Sequence, residues 1–144
     1  MTDDRVQPSL SSLRPIPLRR LKQRRDFLRV AGKGRRAARE GLVLQGAPTP
    51  APEQGGPRIG FTVSRKVGNA VARNRAKRRL RAVADQVLRG QAVPGHDYVL
   101  IGRKTTLDRD FAALCNDCRS ALRRLRLLRE ADGPKPEWNA NARQ

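Results

Sequence analysis

Six of the nine positions from Arg73 to Arg81 are Lys or Arg, and no Asp or Glu occurs anywhere from Arg58 to Arg81. Neighbouring like charges on a helix repel by a few tenths of a kcal/mol per close pair, and no acid nearby in sequence relieves them. A partner rich in phosphate would. Arginine forks match paired phosphate oxygens, and the Asn74 amide can donate to a phosphate oxygen, so Arg73, Asn74, Arg75, Lys77, Arg78 and Arg81 offer a surface for an external polyanion. The competing reading is a solvated helix face, but such faces usually mix signs.

Other reactive residue types point away from catalysis by the chain itself. Metal-dependent phosphodiester hydrolysis needs convergent carboxylates, and the acids are scattered, with Asp108 and Asp110 reading as residues at a helix start. His96 is the sole histidine and sits beside the turn signal Pro94-Gly95, so acid and base roles cannot be paired on histidines. Cys115 and Cys118 have redox-like spacing, yet on a helix both fall on the apolar stripe and no second pair completes a zinc site. Neither a catalytic residue nor a metal ligand is expected in this chain.

Composition agrees with a polyanionic partner. The 144 residues hold 32 Lys+Arg against 13 Asp+Glu, a formal net charge of +19, with 38% apolar and 3% aromatic residues. Nucleic acid matches that charge density best, and a membrane surface is the weaker rival. A spanning helix is excluded by the lack of any run of about eighteen apolar residues. The start Met1-Thr2-Asp3-Asp4 does not resemble a secretion signal, Asp3, Asp4 and Asp26 argue against an organelle transit peptide, and two cysteines are too few for a disulfide framework. The expectation is a cytoplasmic protein with one domain over 18–129, a core of roughly 110 residues, between flexible tails at 1–17 and 130–144.

The elements that must carry the cations follow from periodicity. Strands are expected at 40–45, 58–64 and 97–103, with a weaker one near 36–39; in the second, Ile59, Phe61 and Val63 face the core while Gly60, Thr62 and Ser64 form a small, hydrogen-bonding face. Helices are expected at 22–32, 70–88 and 107–129. The middle one places Ala76, Leu80, Val83, Ala84, Val87 and Leu88 on one stripe, with Asn74, Arg78 and Arg81 opposite. Gly68 permits a tight entry to that helix and Asn69 can cap it. Residues 46–57, with four prolines and three glycines, read as a long loop.

The run Gly68-Asn69-Ala70-Val71-Ala72-Arg73-Asn74-Arg75-Ala76-Lys77-Arg78, after a strand ending Ser64-Arg65-Lys66-Val67, resembles the arginine-asparagine-arginine signature of the bacterial ribonuclease P protein subunit. Leu21 to Val30 with Gly34, and Asp97 to Lys104, extend the likeness in the family's order and spacing. It covers about residues 18 to 127. The resemblance implies an α/β two-layer sandwich of order αβββαβα. It further implies a four-stranded central sheet and a left-handed βαβ crossover, a form shared with the second domain of the fifth small-subunit ribosomal protein. It implies that the signature helix docks on a catalytic RNA, that magnesium held by that RNA performs the cleavage, and that one protein serves each RNA. A cleft between the first helix and the sheet would hold the single-stranded 5′ leader of precursor tRNA. Leader contacts are expected at Phe27, Gln45, Thr62, Ser64, Arg65, Lys66, Arg103 and Lys104. Single strands favour aromatic platforms in a positive groove; with Ala31 one turn after Phe27 and Gln45 where the family often has an aromatic, contact should rest more on Arg65, Lys66, Arg103 and Lys104. A general RNA-binding protein of ribosomal type, without a processing role, is the alternative.

Overall fold

The computed structural model describes residues 18–50 and 57–129; the expected tails at 1–17 and 130–144, and residues 51–56 of the proline-rich loop, lie outside them. The chain runs β1 (Arg19–Arg20), α1 (Arg24–Lys33), β2 (Arg35–Ala38), β3 (Leu42–Pro48), β4 (Arg58–Val63), a 3-10 turn (Arg65–Val67) and α2 (Ala70–Val83). A π-helical turn (Ala84–Leu88) and an α-turn (Arg89–Gln91) extend α2; β5 (His96–Gly102), a 3-10 turn (Lys104–Leu107) and α3 (Phe111–Leu125) complete the order. The sheet has five strands, ordered β1-β4-β5-β3-β2. Four were expected. The fifth, β1, is two residues that pair in parallel with Arg58 and Ile59, too short to leave a periodic signal.

Strand register sorts the side chains into two faces, because residues paired across neighbouring strands share a face. Ile59, Tyr98 and Gly46 form one row, Phe61, Leu100 and Leu44 the next; these rows join the large core under α2 and α3. Gly60, Val99 and Gln45 form a row on the other face, where Leu21, Phe27, Val30, Ala47, Val99 and Ile101 make a smaller cluster under α1. Helices therefore cover both faces, and the expected two-layer sandwich is corrected to three layers. Strand β3, buried at six consecutive positions, shows why: both sets of its side chains have helix above them. The expected βαβ unit is present, since β4 and β5 are parallel neighbours joined through α2.

The loop expected from residue 46 begins later. Gly46, Ala47 and Pro48 remain in β3, opposite Tyr98, Asp97 and His96. Pro48 is tolerated because it is the strand's last residue, where a missing amide interrupts no ladder. A Cβ at Gly46 would stand 2.7 Å from Leu127, so the glycine meets a packing demand.

Helix α2 follows its sequence closely. Asn69 Oδ1 accepts the Ala72 amide at 3.0 Å, and Gly68 enters at φ 155, a region side chains disfavour. All six residues of the apolar stripe are buried. Helix α3 is shorter than expected, starting at Phe111 instead of 107. Residues 104–107 are drawn into a 3-10 turn in which Thr106 Oγ1 accepts the Arg103 amide at 2.8 Å and donates to the Gly41 carbonyl at 2.6 Å. Asp110, not Asp108, then caps the helix through the Ala113 amide at 3.2 Å. The helix ends at Leu125 because Arg126 turns left-handed, at φ 62 and ψ 36.

Candidate nucleic-acid interface

The expected RNA-docking residues share α2 but are not equivalent. Asn74, Arg75, Arg78 and Arg81 are exposed. Arg73 is half-buried and donates to the Gly68 carbonyl at 2.8 Å, closing the turn that enters the helix. Lys77 is half-buried on the flank, and Arg79, counted within the basic run, turns inward to the Arg109 carbonyl. None of the described acids pairs with this helix face: Asp26 and Asp97 hold Arg29 and Arg58, Asp85 holds Arg89, and Glu40 and Asp117 hold Arg109. Among the described residues the charge of α2 is thus left without a partner acid, the arrangement expected of a surface that meets an external anion.

The parallel pairing of β4 and β5 explains how leader candidates far apart in sequence meet. Val63 is in register with Gly102, so the chain after each strand emerges at the same end of the sheet. Ser64, Arg65 and Lys66 there lie beside Arg103 and Lys104, all exposed. Ser64 Oγ accepts the Lys66 amide at 3.3 Å, and Arg103 is steadied by a 2.6 Å bond to the Arg39 carbonyl. Since α2 begins immediately after the Arg65–Val67 turn, the two cationic groups are continuous around one corner.

Behind that corner, Thr62 is exposed in a row with Ile101 and Val43 on the α1 face. Phe27 is half-buried there, its ring pressed to the sheet at Gly60, where a Cβ would come within 2.5 Å of Cε2 and Cζ. Gln45 lies on the same face but is only 7% exposed. Its register partner Arg36 is exposed and adds a cation that sequence reasoning did not single out; the pairing of Arg36 with Gln45 is the signal that finds it. Gly60→Ala is expected to displace the Phe27 ring and lower stability by about 1–3 kcal/mol. Chemical denaturation checks this, and an unchanged midpoint contradicts the close packing.

Sequence reasoning also missed what holds α1 in place. Asp97, fully buried at the start of β5, accepts Arg58 Nε at 2.8 Å and a terminal Arg58 nitrogen at 2.7 Å, and is bonded by Arg29 as well. Asp26 on α1 stands 3.3 Å from Arg29 and 3.6 Å from Arg58. Burial alone would raise the Asp97 carboxyl, but hydrogen bonds from Arg58 and Arg29 and their charges hold it below the usual carboxylate range. Two arginines and two aspartates thereby pin the helix to the sheet.

The remaining reactive groups serve structure. Cys115 and Cys118 are buried, and burial pushes both thiols up and keeps them neutral. The His96 ring Nδ1 lies 3.1 Å from the Pro94 carbonyl in the turn before β5. Among the described residues no three His, Cys, Asp or Glu side chains gather as a metal site, and no helix is long and apolar enough to cross a membrane.

A family model described as Ribonuclease P matches residues 17–126. A "Ribonuclease P protein component" from Paramagnetospirillum magneticum is 50% identical over 115 residues, covering 78% of this chain and 86% of that protein. Another of the same description from Ruegeria pomeroyi is 46% identical over 132 residues, covering 91% of this chain and all of its own length (100%). Among solved structures, the RNase P protein of Staphylococcus aureus superposes with a TM-score of 0.62 at 28% identity, covering 75% of this chain and 95% of that one. The Thermotoga maritima RNase P protein gives 0.59 at 30%, covering 74% and 94%.

Proposed function

Because the chain belongs to the ribonuclease P protein family, we propose that its two cationic surfaces divide the work of removing 5′ leaders from precursor tRNA. Its role is that of the protein component of an endoribonuclease in tRNA processing, associated with RNA and not a ribosomal-type binder without a processing role. In the proposed division, Arg73, Asn74, Arg75, Lys77, Arg78 and Arg81 dock on the catalytic RNA, one protein to each RNA. Phe27, Thr62, Ser64, Arg65, Lys66, Arg103 and Lys104 flank the path of the leader, with Gln45 on its floor. The left-handed sense of the β4-α2-β5 crossover, and the kinship to a ribosomal-protein domain, belong to the same reading.

The observation that carries it is the unpaired face of α2: Asn74, Arg75, Arg78 and Arg81 are exposed while the ion-paired acids among the described residues are committed elsewhere. Magnesium held by the RNA would supply the activated water and charge neutralisation for phosphodiester cleavage. This chain contributes binding and orientation: its positive charge screens repulsion between two RNAs, and its leader contacts add affinity for precursor over mature product.

The test mixes the purified chain with the catalytic RNA of its own organism and a precursor tRNA at low magnesium. Leader removal should accelerate when the chain is added; an unchanged rate overturns the reading. Replacing both Arg65 and Lys66 by Ala should reduce the preference for precursor over mature tRNA by about tenfold, the worth of one or two charge-assisted contacts. An equal loss for both RNAs would contradict a leader path at this corner.

A further inference from the structure

At the end of the sheet away from Ser64 and Arg103, on the flank of α1 that carries Arg25, Asp26 and Arg29, lies a cleft of about 430 Å³. At about 100° per residue, these positions turn away from Phe27, so the cleft is separate from the leader corner and from the exposed face of α2. Its walls include Arg19, Arg25, Arg29, Arg58, Asp26 and Thr49. Four guanidiniums here face two carboxylates, Asp26 in the wall and Asp97 behind it, leaving a positive surplus.

The unused hydrogen-bonding capacity is on the donor side. Arg58 engages Asp97 through Nε and one terminal nitrogen, and Arg29 engages Pro48, Asp26 and Asp97 through its terminal nitrogens. These bonds fix both forks in place, while the other terminal nitrogen of Arg58 and Nε of Arg29 make no bond among the described residues. Arg19 lines the cleft, and its Nε, buried, meets no acceptor among the described residues, so its hydrogen-bonding capacity is not spent within the fold. No side chain caps the first turn of α1 beside it. Guanidinium forks fixed by ion pairs, a surplus of positive charge in the walls and room for several heavy atoms describe a receptor for a tetrahedral oxyanion.

We propose that this cleft is a phosphate-binding site, built from Arg19 and Arg25 on a base of ion-paired Arg29 and Arg58, and independent of the surfaces assigned above. The phosphate can come from a free anion or nucleotide, or from the end of an RNA chain.

Calorimetric titration of the full chain at low ionic strength tests it, using inorganic phosphate, AMP, and a single-stranded RNA trinucleotide with and without a 5′-phosphate. Arg19→Ala and Arg25→Ala are compared with Arg124→Ala, an exposed cation at the far end of α3. Saturable phosphate binding is expected, weakened about tenfold by Arg19→Ala, the worth of one charge-assisted hydrogen bond. Arg124→Ala should change it less than twofold, and all three variants should keep the far-ultraviolet circular dichroism of the parent. Tighter binding of AMP or inorganic phosphate identifies a free ligand, and tighter binding of the 5′-phosphorylated trinucleotide identifies an RNA end; both support the site. Equal losses in all three variants, or no saturable phosphate binding, would each overturn it. Because cleavage by the RNA is not the readout, failure here leaves the processing role standing.

Discussion

Asp97→Ala is expected to lower folding stability by about 3–5 kcal/mol, as removal of one partner from a buried ion-pair network does. The loss comes less from the attraction removed than from what remains. Arg58 and Arg29, drawn together by the carboxylate at 2.7 and 2.8 Å from Arg58, would be left partly desolvated with only Asp26 between them. The same substitution frees one end of α1, so leader preference should fall along with stability, while docking on the RNA through α2 is spared. Acid titration supplies an independent reading. With its carboxyl held below the unfolded value by Arg58 and Arg29, Asp97 stabilises the fold fully above the ordinary carboxylate pKa of about 4. That contribution is lost as pH falls through the lower folded value. Denaturation midpoints of parent and Asp97→Ala should therefore differ widely at neutral pH and converge in acid. A gap that is constant with pH would contradict the ion-pair account.

Replacing Arg75, Arg78 and Arg81 together by Ala is expected to weaken binding to the catalytic RNA by about a hundredfold or more at moderate salt, since each lost phosphate contact removes a charge-assisted bond and its released counterion. Stability should hardly change, because all three side chains are exposed and make no hydrogen bond or ion pair among the described residues. Arg73 differs from these three. Its bond to the Gly68 carbonyl closes the turn at the helix entry, so Arg73→Ala mixes a structural loss with a binding loss. Filter binding and thermal unfolding, measured on the same preparations, separate the two. A triple variant that binds as tightly as the parent would remove α2 from the interface.

Much of this was legible in the sequence where the determining contacts are local. The stripe from Ala76 to Leu88 and the Asn69 cap obey helical spacing, and the alternation at Ile59, Phe61 and Val63 obeys strand spacing, so both could be read without knowing what packs against them. The crossing of those elements could not. Arg58 and Asp97 are thirty-nine positions apart, and Arg29 and Asp97 sixty-eight; each was visible only as one more charge near a strand or helix end. An aspartate opening an apolar strand was the available clue, since a carboxylate placed there must find a cation. Arg36 was hidden for a related reason: its place on the α1 face of the sheet follows from its register with Gln45, which no periodicity within one strand reveals. The shortened start of α3 depends likewise on Thr106 reaching back to the Gly41 carbonyl. Composition, for its part, overstated the loop at Gly46 to Pro48, where a strand neighbour outweighed the local preference of glycine and proline.

In the proposed role, the guanidiniums of α2, without an ion-paired acid among the described residues, neutralise a definite set of RNA phosphates. Measuring the affinity of the full chain for its organism's folded catalytic RNA across a range of monovalent salt counts those phosphates directly. If about six to eight are neutralised, the slope of log affinity against log salt is near −5 to −7, and the triple Arg75, Arg78, Arg81 variant reduces its magnitude by about two to three. A slope near −2, unchanged by the triple variant, would contradict it.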